Sequence, residues 1–157
     1  MAVHERAWYV VVPHHAHGAR VARQRLATEL HGLLPTGVLQ DTIAVVAELV
    51  GNAVRHARPL PGGVIRVAWR LARTTGGVRV QVRVTDGGGP RLPRPRAAGP
   101  DSMDGRGLAI VSALARRWGV LPAGAGQCVW AELGAAELSR AEASSAELGT
   151  PREAAGG

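Results

Sequence analysis

The segment Glu48-Leu49-Val50-Gly51-Asn52-Ala53-Val54-Arg55-His56 lies late in an apolar helical run that begins near Thr36. Glu48, Asn52 and His56 stand at i, i+4 and i+8. Four residues rotate only about 40° around an α-helix, so the three form one slanting row carrying a carboxylate, an amide and an imidazole. Leu49, Val50, Ala53 and Val54 cover the other sides, and a helix apolar nearly all round is as a rule buried. Three polar groups buried together cost free energy unless something satisfies them, and a metal ion bridged to phosphates would do so. Taken alone, the row fits better the solvated edge of an amphipathic helix. Two glycine-rich elements downstream, at 86–90 and 105–108, change that balance.

Asp86 ends a strand and is followed by Gly87, Gly88 and Gly89. An ionised carboxylate there accepts hydrogen bonds from an amino group, and the glycines let a flat ring or a backbone come close. Gly105-Arg106-Gly107-Leu108 opens a helix, where free N–H groups bind phosphate and Arg106 adds positive charge. Each element by itself also fits a plain glycine turn or a flexible helix entry.

Around these elements, the chain reads as alternating strands and helices. Residues 7–12 form a first strand ended by Pro13. His14, His15 and His17 follow as a polar turn before a helix over 16–34, with Val21, Leu26, Leu30 and Leu33 inward. Thr36 caps a second helix that runs to 57. Ile65, Val67, Trp69 and Leu71, then Val78, Val80, Val82 and Val84, alternate with polar or small residues, which predicts two half-buried strands joined by a hairpin turn at 74–77. Residues 90–104 lack apolar periodicity and read as a long functional loop. A third helix is expected over 105–117, with Leu108, Ile110, Val111 and Leu114 on its apolar side, then strands at 118–121 and 128–133. The order β-α-α-β-β-loop-α-β-β predicts an α+β fold: a two-layer sandwich with a mixed, mostly antiparallel sheet and helices on one face. Residues 1–133 make one domain, and 134–157 are expected to be a disordered tail.

Composition narrows the chemistry. All 19 basic residues are arginine, so there is no phosphate-loop lysine, no kinase strand lysine and no Schiff base. The one cysteine, Cys128, excludes an intramolecular disulfide and a cysteine-based zinc site and fits a reducing cytosol. The N-terminus carries no signal-peptide pattern, and no apolar run approaches the roughly 18 residues of a membrane span, so a cytoplasmic protein is expected. The formal charge is +7; residues 134–157 hold four glutamates against two arginines, leaving +9 on residues 1–133. Such a domain attracts nucleotides, nucleic acid or acidic protein surfaces. The aromatic residues are scattered among apolar strands rather than interleaved with arginines, so direct nucleic-acid binding is not expected.

Together the three elements resemble the nucleotide-binding fold shared by gyrase, MutL and sensor histidine kinases, the GHKL or Bergerat fold. Its E-x-x-x-N-A box, followed by a basic residue and often His, matches Glu48, Asn52, Ala53, Arg55 and His56. Its D-x-G-x-G box matches Asp86 and Gly88, with Pro90 in place of the last glycine. Its G-x-G-L box matches Gly105, Gly107 and Leu108. Within that family the short chain resembles the anti-sigma-factor serine/threonine kinases and related small ATP-binding regulators of actinomycetes.

The resemblance implies ATP and Mg²⁺ as ligands. Asp86 would bind the adenine amino group with Gly88 beside the ring, Asn52 would coordinate Mg²⁺, and Glu48 would orient or deprotonate a serine hydroxyl. Gly105, Arg106, Gly107 and Leu108 would border the phosphates under a lid at 90–104, with His56 in support. It implies a sigma factor or an anti-anti-sigma protein as partner, with homodimerisation left open and no membrane involved. Cys128 stands where relatives commonly place a threonine near the adenine Asp, and this and Pro90 are expected to weaken nucleotide affinity. Two other readings are a non-catalytic ATP-dependent protein-binding switch and a basic nucleic-acid binder.

Overall fold

The computed structural model describes residues 4–89 and 103–136, with side chains described at 4–89 and 108–135. The order of elements is the expected one. Strand β1 (His4–Pro13) leads to helices α1 (Ala16–Leu30) and α2 (Thr36–His56). Then come β2 (Val64–Thr74), β3 (Gly77–Asp86), α3 (Met103–Leu114), β4 (Arg117–Ala123) and β5 (Gly126–Ala136). The strands form one sheet in the order β1-β2-β3-β5-β4. All four pairings are antiparallel, so the mixed sheet expected from the sequence is corrected: β5 returns between β3 and β4 and pairs antiparallel with both.

The alternation in β2 and β3 does what its period of two requires. Ile65, Val67, Trp69, Leu71, Val78, Val80, Val82 and Val84 are all buried on the face that the helices cover. Thr74 pairs with Gly77 across the tight turn, and the Thr74 hydroxyl accepts from Gly76 N at 3.2 Å. Opposite this face, α2 buries Val45, Val46, Leu49, Val50 and Ala53, a helically spaced stripe that crosses the middle of the sheet. α1 contributes Ala22, Leu26 and Leu30, and α3 contributes Val111.

Several boundaries differ from the sequence reading. α1 stops at Leu30, because a turn with Gly32 at φ +76° follows it. Pro35, not Thr36, holds the N-cap of α2, without a side-chain bond. α3 begins at Met103 and ends at Leu114, and Arg117 belongs to β4. Ile110 is 40% exposed, so the apolar side of α3 is narrower than its composition suggested. β5 continues past Leu133 to Ala136. The loop expected up to 104 falls, through residue 102, outside the described residues, as do 137–157 of the tail.

α2 also corrects the reading that nothing in the chain approaches a membrane span. Within this 21-residue helix an 18-residue stretch reaches a mean hydropathy of 1.3, enough by length and composition for a spanning helix. The sequence reading counted uninterrupted apolar residues, whereas Gly51, Asn52 and the few charges barely dilute this helix. In the fold its apolar stripe packs on the sheet, as a core helix does.

Candidate functional site

Asp86 is the last residue of β3 and is only 1% exposed. Its neighbour across the ladder is Gln127 of β5. Both belong to the cross-strand row of Val12 and Ile65 and therefore face the helical layer. The Asp86 carboxylate accepts from Gly88 N at 2.7 Å and from the Gln127 side-chain amide. Burial pushes its pKa above the ordinary carboxylate value; the Gly88 N–H, the Gln127 amide and the field of His14 oppose that rise without cancelling it. Gln127 is itself 5% exposed, and its Oε1 has no hydrogen-bond partner among the described residues.

The glycines after Asp86 are held to the end of α2. Gly87 N donates to Arg58 O at 2.7 Å, and Arg58 N donates to Gly88 O at 2.8 Å. Gly88 adopts φ +82°, a conformation open to glycine at little cost. A Cβ on Gly87 would overlap the Pro59 carbonyl oxygen. These glycines therefore serve close backbone packing between two chain segments, besides any approach of a ligand.

His14 ties β1 to the same region. Its Nε2 lies 3.0 Å from Ala53 O and 2.9 Å from Ala57 O. Carbonyls only accept, so Nε2 carries the proton and donates to both. Ala53 O in the last turn of α2 also accepts from the N–H of the C-cap residue Ala57 at 3.1 Å, so His14 adds a second donor there and binds the cap residue's own carbonyl. The backbone N of His14 also donates to Gly63 O at 2.9 Å. His15, by contrast, caps α1, its Nδ1 accepting from His17 N at 3.1 Å. The histidine cluster is thus a polar helix start, as expected, but His14 has a second task that sequence alone did not indicate.

Glu48 and Asn52 are half-buried and His56 is exposed. The row lies along one edge of α2, as the solvated-edge reading of the stretch has it and not in the core: the apolar stripe of α2 covers the sheet, and the polar row stands to its side. Asn52 Oδ1 accepts from the Arg55 guanidinium at 3.0 Å. That guanidinium folds back over Gly51, where a Cβ would come within 2.9 Å of it. Leu108 is half-buried in α3, whose first turn includes Gly105. Arg106 and Gly107 lie further along the helix, so the glycine pair does not open it. α2 packs against α3 as well as against β3 and β5, and so brings the three sequence elements to one side of the sheet.

Cys128 is not the neighbour of Asp86. It pairs with Thr85 and with Leu121 and so belongs to the opposite face of the sheet. A shift of one residue along a strand changes face, and the position beside Asp86 belongs to Gln127. The expectation attached to Cys128 is withdrawn for this reason. Gln127 was missed; its place one residue into β5, just after the turn at Gly124 and Ala125, was the available signal.

The donor set bears on which ligands fit. Among the described residues no three His, Cys, Asp or Glu side chains are grouped to hold a metal ion. A Mg²⁺ ion here would take most of its ligands from phosphate and water, with Asn52 Oδ1 as a protein contribution once Arg55 releases it. At the other end, the Asp86 carboxylate and the unpartnered Gln127 oxygen form a buried pair of acceptors, which suits an amino group with two N–H donors.

A family model described as a histidine kinase-like ATPase domain matches residues 12–133, from the end of β1 to β5. No curated protein matches the chain.

Proposed function

The chain belongs to the histidine kinase-like ATPase family, and from that premise we propose that it is an ATP-binding regulator of the anti-sigma type. It phosphorylates an anti-anti-sigma partner on serine or threonine, holds a sigma factor, or does both. The buried acceptor pair of Asp86 and Gln127 Oε1 carries the nucleotide part of this reading. Adenine offers an amino group with two N–H donors, one for each acceptor. Gly88 lies beside the ring, and Gly105, Arg106, Gly107 and Leu108 border the phosphates. Asn52 is the protein ligand to Mg²⁺, and His56 supports that end of the site. When bound, Mg²⁺ neutralises and orients the phosphate oxygens. Glu48, one helical turn before Asn52, orients the attacking hydroxyl and takes its proton.

The test is calorimetry of Mg²⁺-dependent ATP binding with wild type beside Asn52→Ala and Asp86→Asn. The expected result is binding lost in Asp86→Asn and its Mg²⁺ dependence blunted in Asn52→Ala. No wild-type binding at millimolar ATP overturns the nucleotide reading. For the kinase step, Glu48→Gln is expected to abolish phosphotransfer to the partner and spare ATP binding; transfer at the wild-type rate removes Glu48 from the role of base.

A second reading is a switch without phosphotransfer, in which ATP creates a protein-docking surface. The Arg55–Asn52 contact favours it, because Arg55 occupies the oxygen that Mg²⁺ needs. ATP binding that strengthens with Asn52→Ala, together with unaltered capture of the partner and no phosphorylated product, separates this switch from the kinase.

A further inference from the structure

The face of the sheet opposite the helices is not accounted for by the nucleotide site. Among the described residues, three of the four exposed large apolar side chains lie on it: Tyr9 at 63%, Val11 at 52% and Leu121 at 45%. They come from the two edge strands. Between them the same face carries Arg66, Arg70 and Arg83, all exposed. The register places Val11 beside Arg66 and Tyr9 one cross-strand row away from it, in the row of Arg83.

We propose that this open face docks a partner protein through an acidic amphipathic helix lying across the strands, its carboxylates over the central arginines and its aliphatic side chains at the two edges. Four strand spacings separate Val11 from Leu121, roughly 19 Å. A helix of about 13 residues spans that distance. The face already holds one carboxylate in the required manner: Glu132, 12% exposed, sits between Arg117 at 2.9 Å and Arg79 at 3.5 Å. No carboxylate among the described residues pairs with Arg66, Arg70 or Arg83. A mixture of arginine, aromatic and aliphatic groups is the composition of a protein-binding patch.

Other occupants fit less well. A single-stranded nucleic acid would stack bases on the exposed aromatic ring, but Arg66 already lies over Tyr9, 4.8 Å from its centroid. A second copy would set arginines against arginines. The inference does not rest on the nucleotide reading, since Asp86 faces the other side of the sheet.

The test uses the full chain and a labelled synthetic helical peptide with central glutamates and leucines at both ends, read by fluorescence anisotropy. Saturable binding is expected, weakened at least tenfold by the double variant Arg66→Glu, Arg83→Glu and unchanged by Arg20→Glu on α1, which makes the same kind of charge reversal in the helical layer. Thermal melts confirm folding; if the double variant melts early, Val11→Ser replaces it and is expected to weaken binding as well. Absence of saturable binding overturns the proposal. So does equal loss in Arg20→Glu, which means bulk charge alone. Tighter binding of an oligothymidylate that the double variant abolishes assigns the face to nucleic acid instead. A dimer in sedimentation that the double variant dissociates assigns it to a second copy.

Discussion

Gln127 faces Asp86 directly across the β3–β5 ladder, donating its amide N–H to the carboxylate and leaving its own buried oxygen without a partner among the described residues. An unsatisfied buried acceptor costs about 1–3 kcal/mol, which a ligand donor recovers on binding. Gln127→Leu is therefore expected to weaken ATP binding about tenfold or more, measured by calorimetry. Unchanged affinity in this variant means that the oxygen meets no ligand.

Asp86 links pH to stability. Its pKa in the fold is raised, chiefly by burial, so the fold favours the neutral acid. The stability that follows is fully present below the unfolded value of about 3.8 and is lost as pH rises through the folded value. Asn is neutral throughout. Asp86→Asn is thus expected to be more stable than wild type at pH 7 and to lose that advantage as pH falls toward 3. Thermal melts of the ligand-free proteins across this range show it. An advantage that is constant with pH points to packing, not ionisation.

The glycines differ in what they tolerate. Gly88→Ala forces a side chain into φ +82° and is expected to cost about 1–2 kcal/mol. Gly87→Ala meets the Pro59 carbonyl and must open the clamp between Arg58 and Gly88, so its cost is expected to be larger. Urea unfolding of both variants ranks them; the reverse order means that the clamp yields easily.

His14→Ala leaves the Ala53 and Ala57 carbonyls without their side-chain donor and is expected to destabilise the protein by about 1–3 kcal/mol. Hydrogen exchange is expected to show the loss first in the last turn of α2. Uniform loosening across the sheet argues against a local capping role.

Much of the architecture was legible because it is encoded locally. The period-two alternation of Ile65 to Leu71 and of Val78 to Val84 specified half-buried strands, and the stripe from Val45 to Ala53 specified a core helix. The three boxes, in order, pointed to the family that the match over 12–133 supports. Helix ends were less legible, because caps depend on single turns: Pro35 took the place of Thr36, and α3 began before Gly105.

By itself, then, the sequence determined the order and type of the elements, the absence of lysine and disulfide chemistry, and the strand end at Asp86, all of which follow from composition and short-range periodicity. Only the tertiary structure decided that Gln127 and not Cys128 stands beside Asp86, since a single step of register turns a strand residue to the other face. It alone joined His14 to the end of α2, across 39 and 43 residues of chain. It settled between the two placements open to the polar row of α2, half-buried at an edge and not in the core, and it gathered Tyr9, Val11 and Leu121 around the arginines of one open face. The reason is common to all four: periodicity states which residues share a face, but which face meets the core, a ligand or solvent depends on the packing of segments far apart in the chain.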